Sequence, residues 1–171
     1  MKETEKLRGE YVPRHHMLSY IRQYLPENPI ILEAGAFNGK DTQKISTFWP
    51  RGQIHCFEPV PEIFVQLEHN THHLENVHRY NVALSNQIGT AHFYLSQSPR
   101  KPNIPFQSGT LHKPTGRLAW SPVQYPRTTQ VPTTTIDSWA QQQTISHIDF
   151  MWLDMQGHEL HALQAAPTIL T

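Results

Sequence analysis

Apolar runs of four to six residues alternate along this chain with stretches whose apolar residues recur at helical spacing. In residues 15–25, Met17, Leu18, Ile21 and Leu25 form one helical stripe flanked by Tyr20 and Tyr24, and Pro26 ends it. Residues 30–33 lack polar alternation, as expected of a parallel strand buried on both faces. Residues 35–39 form a glycine turn, and a helix over 41–49 carries Ile45, Phe48 and Trp49 inward. A second strand spans 53–57. Pro61 suits the first turn of a helix with Ile63, Phe64 and Leu67 inside. Residues 77–84 hold a third strand and its exit, and in 90–95 Ala91, Phe93 and Leu95 alternate with polar neighbours.

The pattern then breaks. Residues 96–127 hold six prolines and two glycines and read as a lid or an irregular loop. Regular structure resumes at 128–135. Asp137 is expected to cap a helix reaching about Gln143, a fourth buried strand spans 148–154, and a helix covers about 158–165. The order β-α-β-α-β, a hairpin-like insert, then α-β-α predicts an α/β fold: a Rossmann-like, mostly parallel sheet with helices on both faces. Residues 1–29 read as a tail and helix, and 30–171 as the domain. A sheet of this type is expected to continue beyond the fourth strand, so the C-terminal strands are expected to be missing.

Composition narrows the function. The chain has 171 residues, with 14 basic and 14 acidic, and no block of like charge, so a nucleic-acid partner is not expected. Twelve histidines can charge only in mild acid, near pH ~6.5. Cys56 is the single cysteine and reads as a small buried hydrophobe. No apolar stretch reaches the ~18 residues of a membrane span, and the charged N-terminus lacks a signal core. No membrane partner is expected, and the expected location is cytoplasmic.

The candidate chemistry lies at the strand ends. Gly35 and Gly39 give G-x-x-x-G, without the middle glycine that a pyrophosphate needs. That favours S-adenosylmethionine over a dinucleotide: Gly35 supplies room, Glu33 approaches the cationic end, and Asn38 offers a hydrogen bond. Glu58 stands at the tip of the second strand, about twenty residues beyond the turn, where a carboxylate can accept both ribose hydroxyls. Asn81 and Ala83 are placed to meet the base edge. Asp154, His158 and Glu159 follow the fourth strand around Gly157, where a carboxylate or imidazole could take an acceptor's proton. Glu159 is equally suited to a helix start. His158 and His161 do not form H-E-x-x-H, and no metal set is expected.

Together with the glycine turn, Phe57-Glu58-Pro59, Val82-Ala-Leu-Ser85, Thr133-Thr-Thr-Ile-Asp137 and Leu153-Asp-Met-Gln-Gly-His-Glu159 make the chain resemble the FkbM-type methyltransferases. The resemblance runs from about Ile30 to Leu170. It implies a class I methyltransferase fold, S-adenosylmethionine as donor, and often O-methylation of sugars or other small hydroxylated metabolites. By position it assigns Glu33, Gly35, Ala36, Asn38 and Gly39 to the methionine-side loop, Glu58 to the ribose and Asp154 to the acidic strand tip. Ser108-Gly-Thr-Leu111 matches the family's small polar patch in the middle segment. Glu33 stands where aspartate is more usual, and His158 where a small residue is more usual. The expected function is methyl transfer to a small-molecule acceptor. The alternative is a non-catalytic nucleoside-binding or interaction module that keeps the fold.

Overall fold

The computed structural model describes residues 16–98, 101–105, 107–115, 117–119 and 121–171. Its central sheet has four strands in the order β3-β2-β1-β8: β1 (Ile30–Ala34), β2 (Gln53–Phe57), β3 (Val77–Tyr80) and β8 (Phe150–Leu153). All three pairings are parallel. β1 lies at the centre, where Ile31 and Leu32 lose all solvent contact, which accounts for its uninterrupted apolar run.

Alternate residues of each strand feed two cores. On one face Ile31, Ile54 and Cys56 meet Leu18 of α1 (Met17–Ile21), Ile45 of α2 (Lys40–Phe48) and Leu67 of α3 (Pro61–Thr71). On the other, Leu32, Ala34 and Phe57 meet Ile136 and Trp139 of α4 (Ile136–Gln142) and Ala162 of α5 (Glu159–Gln164). Helices thus cover both faces, the expected α/β arrangement. Cys56 is fully buried, its Sγ donating to the His78 carbonyl at 3.4 Å, and burial pushes the thiol pKa far up. It packs as a hydrophobe.

The largest departure from expectation is a second sheet, ordered β4-β7-β5-β6. The run 77–84, expected to hold a third strand and its exit, holds β3 and then β4 (Ala83–Leu84), a short strand that belongs to the other sheet. β5 (Gly89–Ser98) and β7 (Gln124–Thr134) pair antiparallel, and β6 (Lys101–Pro105) adds to β5. Part of the segment expected to be irregular is therefore ladder. Thr110 also bridges to Tyr94, each N–H reaching the other's carbonyl at 2.8 and 3.2 Å. Among the described residues β4 pairs with only Thr133 and Thr134, leaving β7 an open edge along most of its length. An open edge needs no N–H donors there, so Pro126 and Pro132 are tolerated.

Asp137 is not the cap of its own helix. Thr135 is, its side chain accepting the Ser138 N–H at 3.1 Å. The Asp137 carboxylate reaches across to accept the Thr168 and Ile169 N–H groups at 2.9 and 3.1 Å, fastening the C-terminal turn. The expected N-terminal tail and the start of the first helix at His15 lie outside the described residues. Among those residues, no helix is long and apolar enough to cross a membrane.

Candidate functional site

The carboxyl ends of β1, β2 and β8 open onto a cavity of about 220 Å³ whose far wall is the second sheet. Ligands of open α/β sheets bind at these strand ends because the chains there diverge into loops. Two of the lining residues have positive φ, Gly35 (85°) and Phe37 (50°), and so do Gln156 (56°) and Gly157 (100°) in the turn after β8. Gly35 is required by packing. A Cβ there would lie 2.2 Å from the Asp154 carbonyl oxygen. The space expected to admit a ligand is therefore filled by the β8 exit. Gly39 is similarly spoken for, since its Cβ would meet Thr71 at 2.7 Å and Leu67 at 3.0 Å, between α2 and α3.

Glu58 sits on the cavity wall, 5% exposed. Its Oε2 accepts the Phe37 N–H at 3.1 Å and its Oε1 the Val60 N–H at 2.9 Å, so one carboxylate ties the glycine turn to the start of α3. Asn81 Nδ2 donates to the Glu58 carbonyl at 2.8 Å, which makes Asn81 a support for Glu58. Burial pushes the Glu58 pKa up to about 7, against the lowering effect of the Val60 and Phe37 N–H groups. Each oxygen keeps lone-pair capacity for a further donor.

Glu33 does not border the cavity. It is buried beneath α2, where Thr42 Oγ1 donates to it at 2.6 Å. Burial raises its pKa from 4.5 to about 7, with Thr42 opposing and Asp41 assisting. The folded state therefore holds this proton where the unfolded chain has lost it. The resulting stability is full below pH 4.5, falls as pH rises to about 7, and stays lost above. Glu33→Gln, a neutral isostere, is expected to gain on the order of 2 kcal/mol over the parent at pH 8 and little at pH 5. Urea midpoints at the two pH values measure this; parallel losses in parent and variant would clear Glu33 of responsibility.

Of the other expected residues, Ala83, Asp154 and His158 border the cavity. Ala36 is buried in the α2-side core, and Asn38 presents its carbonyl to Asn70 Nδ2 at 2.8 Å. Asp154 is exposed, its Oδ1 accepting from Gln156 Nε2. Glu159 turns away: its Oε1 accepts the Met155 N–H at 2.8 Å and the Gly157 N–H at 3.3 Å, which holds the β8–α5 turn. His158 is 7% exposed, with Nε2 at 3.0 Å from Ser85 Oγ and Nδ1 at 3.1 Å from His112 Nε2. Burial, then the neighbouring His112 and His161, lower its pKa to about 4.

Alternation in 90–95 marked a strand face with Phe93 and Leu95 but did not place it on the wall opposite the strand ends. Phe93, Leu95 and Arg127 line that wall from the second sheet, and Val82 from the loop before β4. The Ser108–Leu111 patch was a further signal: Gly109 and Leu111 reach the cavity, with Gly109 seated so close to Phe93 that a Cβ would lie 2.4 Å from its ring. His112 carried no signal, being 46 residues from His158.

Comparison with known proteins identifies the family. The methyltransferase FkbM domain pattern matches residues 33–171. A curated relative, the 2-O-methyltransferase NoeI of Sinorhizobium fredii (strain NBRC 101917 / NGR234), is 27% identical over 145 residues, covering 84% of this chain. The match spans 60% of NoeI's length. Among solved structures, coclaurine N-methyltransferase bound to N-methylheliamine and SAH is 15% identical over 41% of this chain and 22% of its own, with a TM-score of 0.36. An rRNA methylase from Streptococcus thermophilus is 16% identical over 43% and 44%, with a TM-score of 0.37. On the family match, the chain belongs to the methyltransferase FkbM domain family.

Proposed function

We propose that this chain binds S-adenosylmethionine and transfers its methyl group to a hydroxyl of a small molecule, a sugar or related metabolite. The observation that carries the reading is Glu58: a buried carboxylate at the tip of β2, open to the cavity and already fixed by two backbone donors. The residues fit the donor. A ribose diol supplies the two further donors that the carboxylate oxygens can take. Phe37, Val60, Ile63 and Val82 offer apolar contact for a base. Gly35 lets the chain pass close against Asp154, and both border the cavity.

Bound there, S-adenosylmethionine supplies a methyl group on a positively charged sulfur. The chain's own part is positioning, which accounts for much of the rate of an in-line displacement, and proton removal. Asp154 is the carboxylate at the reaction end and can accept the proton of an attacking hydroxyl. The 2-O-methyltransferase among the relatives supports an oxygen acceptor.

Calorimetric titration with S-adenosylhomocysteine and with NAD tests the donor: binding of the first alone is expected, and NAD binding alone would overturn the reading. For transfer, labelled donor is followed across hydroxylated acceptors. Asp154→Asn is expected to slow turnover about tenfold, less than the ~10²–10⁴ of a sequestered base, because solvent reaches Asp154 and shares its task. An acceptor methylated at the parent rate by the variant removes Asp154 from the mechanism.

A further inference from the structure

We propose that His112, His158 and His161 form a binding site for one zinc-class divalent ion at the edge of the cavity. Each offers one ring nitrogen, and these three nitrogens lie within 4.8 Å of one another. Three imidazoles with no protein carboxylate suit zinc, with a fourth position left for an oxygen ligand.

Several independent features converge on this. His158 and His161, three apart at the start of α5, stack with ring centroids 4.8 Å apart and planes 8° from parallel. His112 from the 107–115 loop closes on both, at 4.7 Å to each ring. The 3.1 Å between His158 Nδ1 and His112 Nε2 is close to the roughly 3.3–3.4 Å edge of a tetrahedron with Zn–N bonds of ~2.0–2.1 Å. The longest edge needs a side-chain adjustment of about 1.4 Å to reach that tetrahedron.

The outer hydrogen bonds suit ligation. Ser85 Oγ donates to Asn86 Oδ1 at 3.3 Å, which leaves its lone pairs to accept from His158 Nε2–H at 3.0 Å. With the proton on Nε2, the Nδ1 lone pair faces the other two rings. This is the outer partner that ligating histidines generally have. The second feature is an orphan: His161 Nδ1 is buried and makes no hydrogen bond among the described residues. A buried polar atom without a partner calls for a specific explanation, and an ion is one.

The site's position gives it a use. His158 borders the main cavity, and His112 borders a smaller one of about 170 Å³ on the far side of the Thr110–His112 strap. An oxygen ligand at the fourth position, water or an acceptor hydroxyl, would lose its proton more readily than in bulk. That last use rests on the methyltransferase reading; the metal site does not.

The test is titration of chelator-treated full chain with zinc chloride by calorimetry, and with cobalt(II) followed by its absorption. One equivalent is expected, with the intense visible bands of tetrahedral cobalt. His112→Gln and His161→Gln should each weaken zinc at least tenfold, and Ser85→Ala about tenfold. His69→Gln and His72→Gln, at a histidine-rich helix end, should leave it unchanged. Absence of a one-equivalent site, or parent-level zinc affinity in both ligand variants, overturns the proposal. S-adenosylhomocysteine titrated in the same samples separates the two readings: zinc binding without it would sink the methyltransferase proposal alone.

Discussion

Gly35→Ala is expected to be the most damaging single substitution described here, costing roughly 3–5 kcal/mol of folding stability. Two costs add. The backbone at Gly35 has φ of 85°, a region in which a β-carbon costs about 1–2 kcal/mol. The added methyl would also stand 2.2 Å from the Asp154 carbonyl oxygen and 3.0 Å from its carbon. Both are backbone atoms, so no side chain can swing aside. Relief requires β8 to move off β1, and the Asp154 N–H to Ala34 carbonyl bond at 2.9 Å is the first to be strained. Gly157→Ala is the control. Its φ is 100°, yet its nearest neighbour would be His112 Cδ2 at 4.0 Å, so only the conformational cost applies. Urea unfolding of both variants measures the difference, and equal losses would show that the contact with Asp154 is not what requires a glycine at 35.

The second large effect concerns ligand affinity. Glu58→Ala is expected to weaken S-adenosylhomocysteine about 100-fold. Each ribose hydroxyl donated to a carboxylate is worth about 1.5–3 kcal/mol, so two at the lower end give about 3 kcal/mol. Because the alanine also releases the Phe37 and Val60 N–H groups, Glu58→Gln is the cleaner companion: one acceptor oxygen remains, and a tenfold loss is expected. The pKa adds a signature that mere disruption does not produce. With Glu58 at about 7 in the free protein, the diol binds the ionised form and expels a proton. Affinity of the parent should fall tenfold per unit as pH drops below about 7, while that of Glu58→Gln stays level. Titration across pH 5.5–8, in buffers of different ionisation enthalpy, reads both the slope and the released proton. An affinity that Glu58→Ala leaves untouched would remove the carboxylate from the ligand site.

The parts of this architecture visible in the sequence are those fixed by local chemistry. β1 and β2 emerged within a residue, and α3 starts at the expected Pro61, because apolar run, glycine turn and proline are each decided over a few positions. The place of Glu58 on the cavity wall followed from the sequence because a strand tip is a local event. Gly35 was found too, but its reason was not: the atom that forbids a side chain belongs to Asp154, and no spacing rule connects the two. Asp137 was misjudged for the same cause, since its partners Thr168 and Ile169 arrive from another element. Of the second sheet, the cores of β5 and β7 were legible as a hairpin-like insert, but β6 and the start of β7 stayed hidden behind prolines. His112 joined His158 and His161 only once the 107–115 loop had folded back onto α5.

β1 recruits its two neighbours from very different distances. Ile30 lies beside Gln53 on one side, while its amide meets the Asp149 carboxylate, 119 residues away, on the other. Closing the longer loop costs about 1.5 kcal/mol more in chain entropy than closing the shorter. Gly35, Phe57 and Glu58 can therefore be held in place while Asp154 and His158 are still undocked, and contacts of such long range form slowly. On a ribosome the order is enforced outright. The wall that carries Gly35 and Glu58 emerges first and waits for β8 with Ala34 uncovered. That interval is when this chain is most exposed to aggregation.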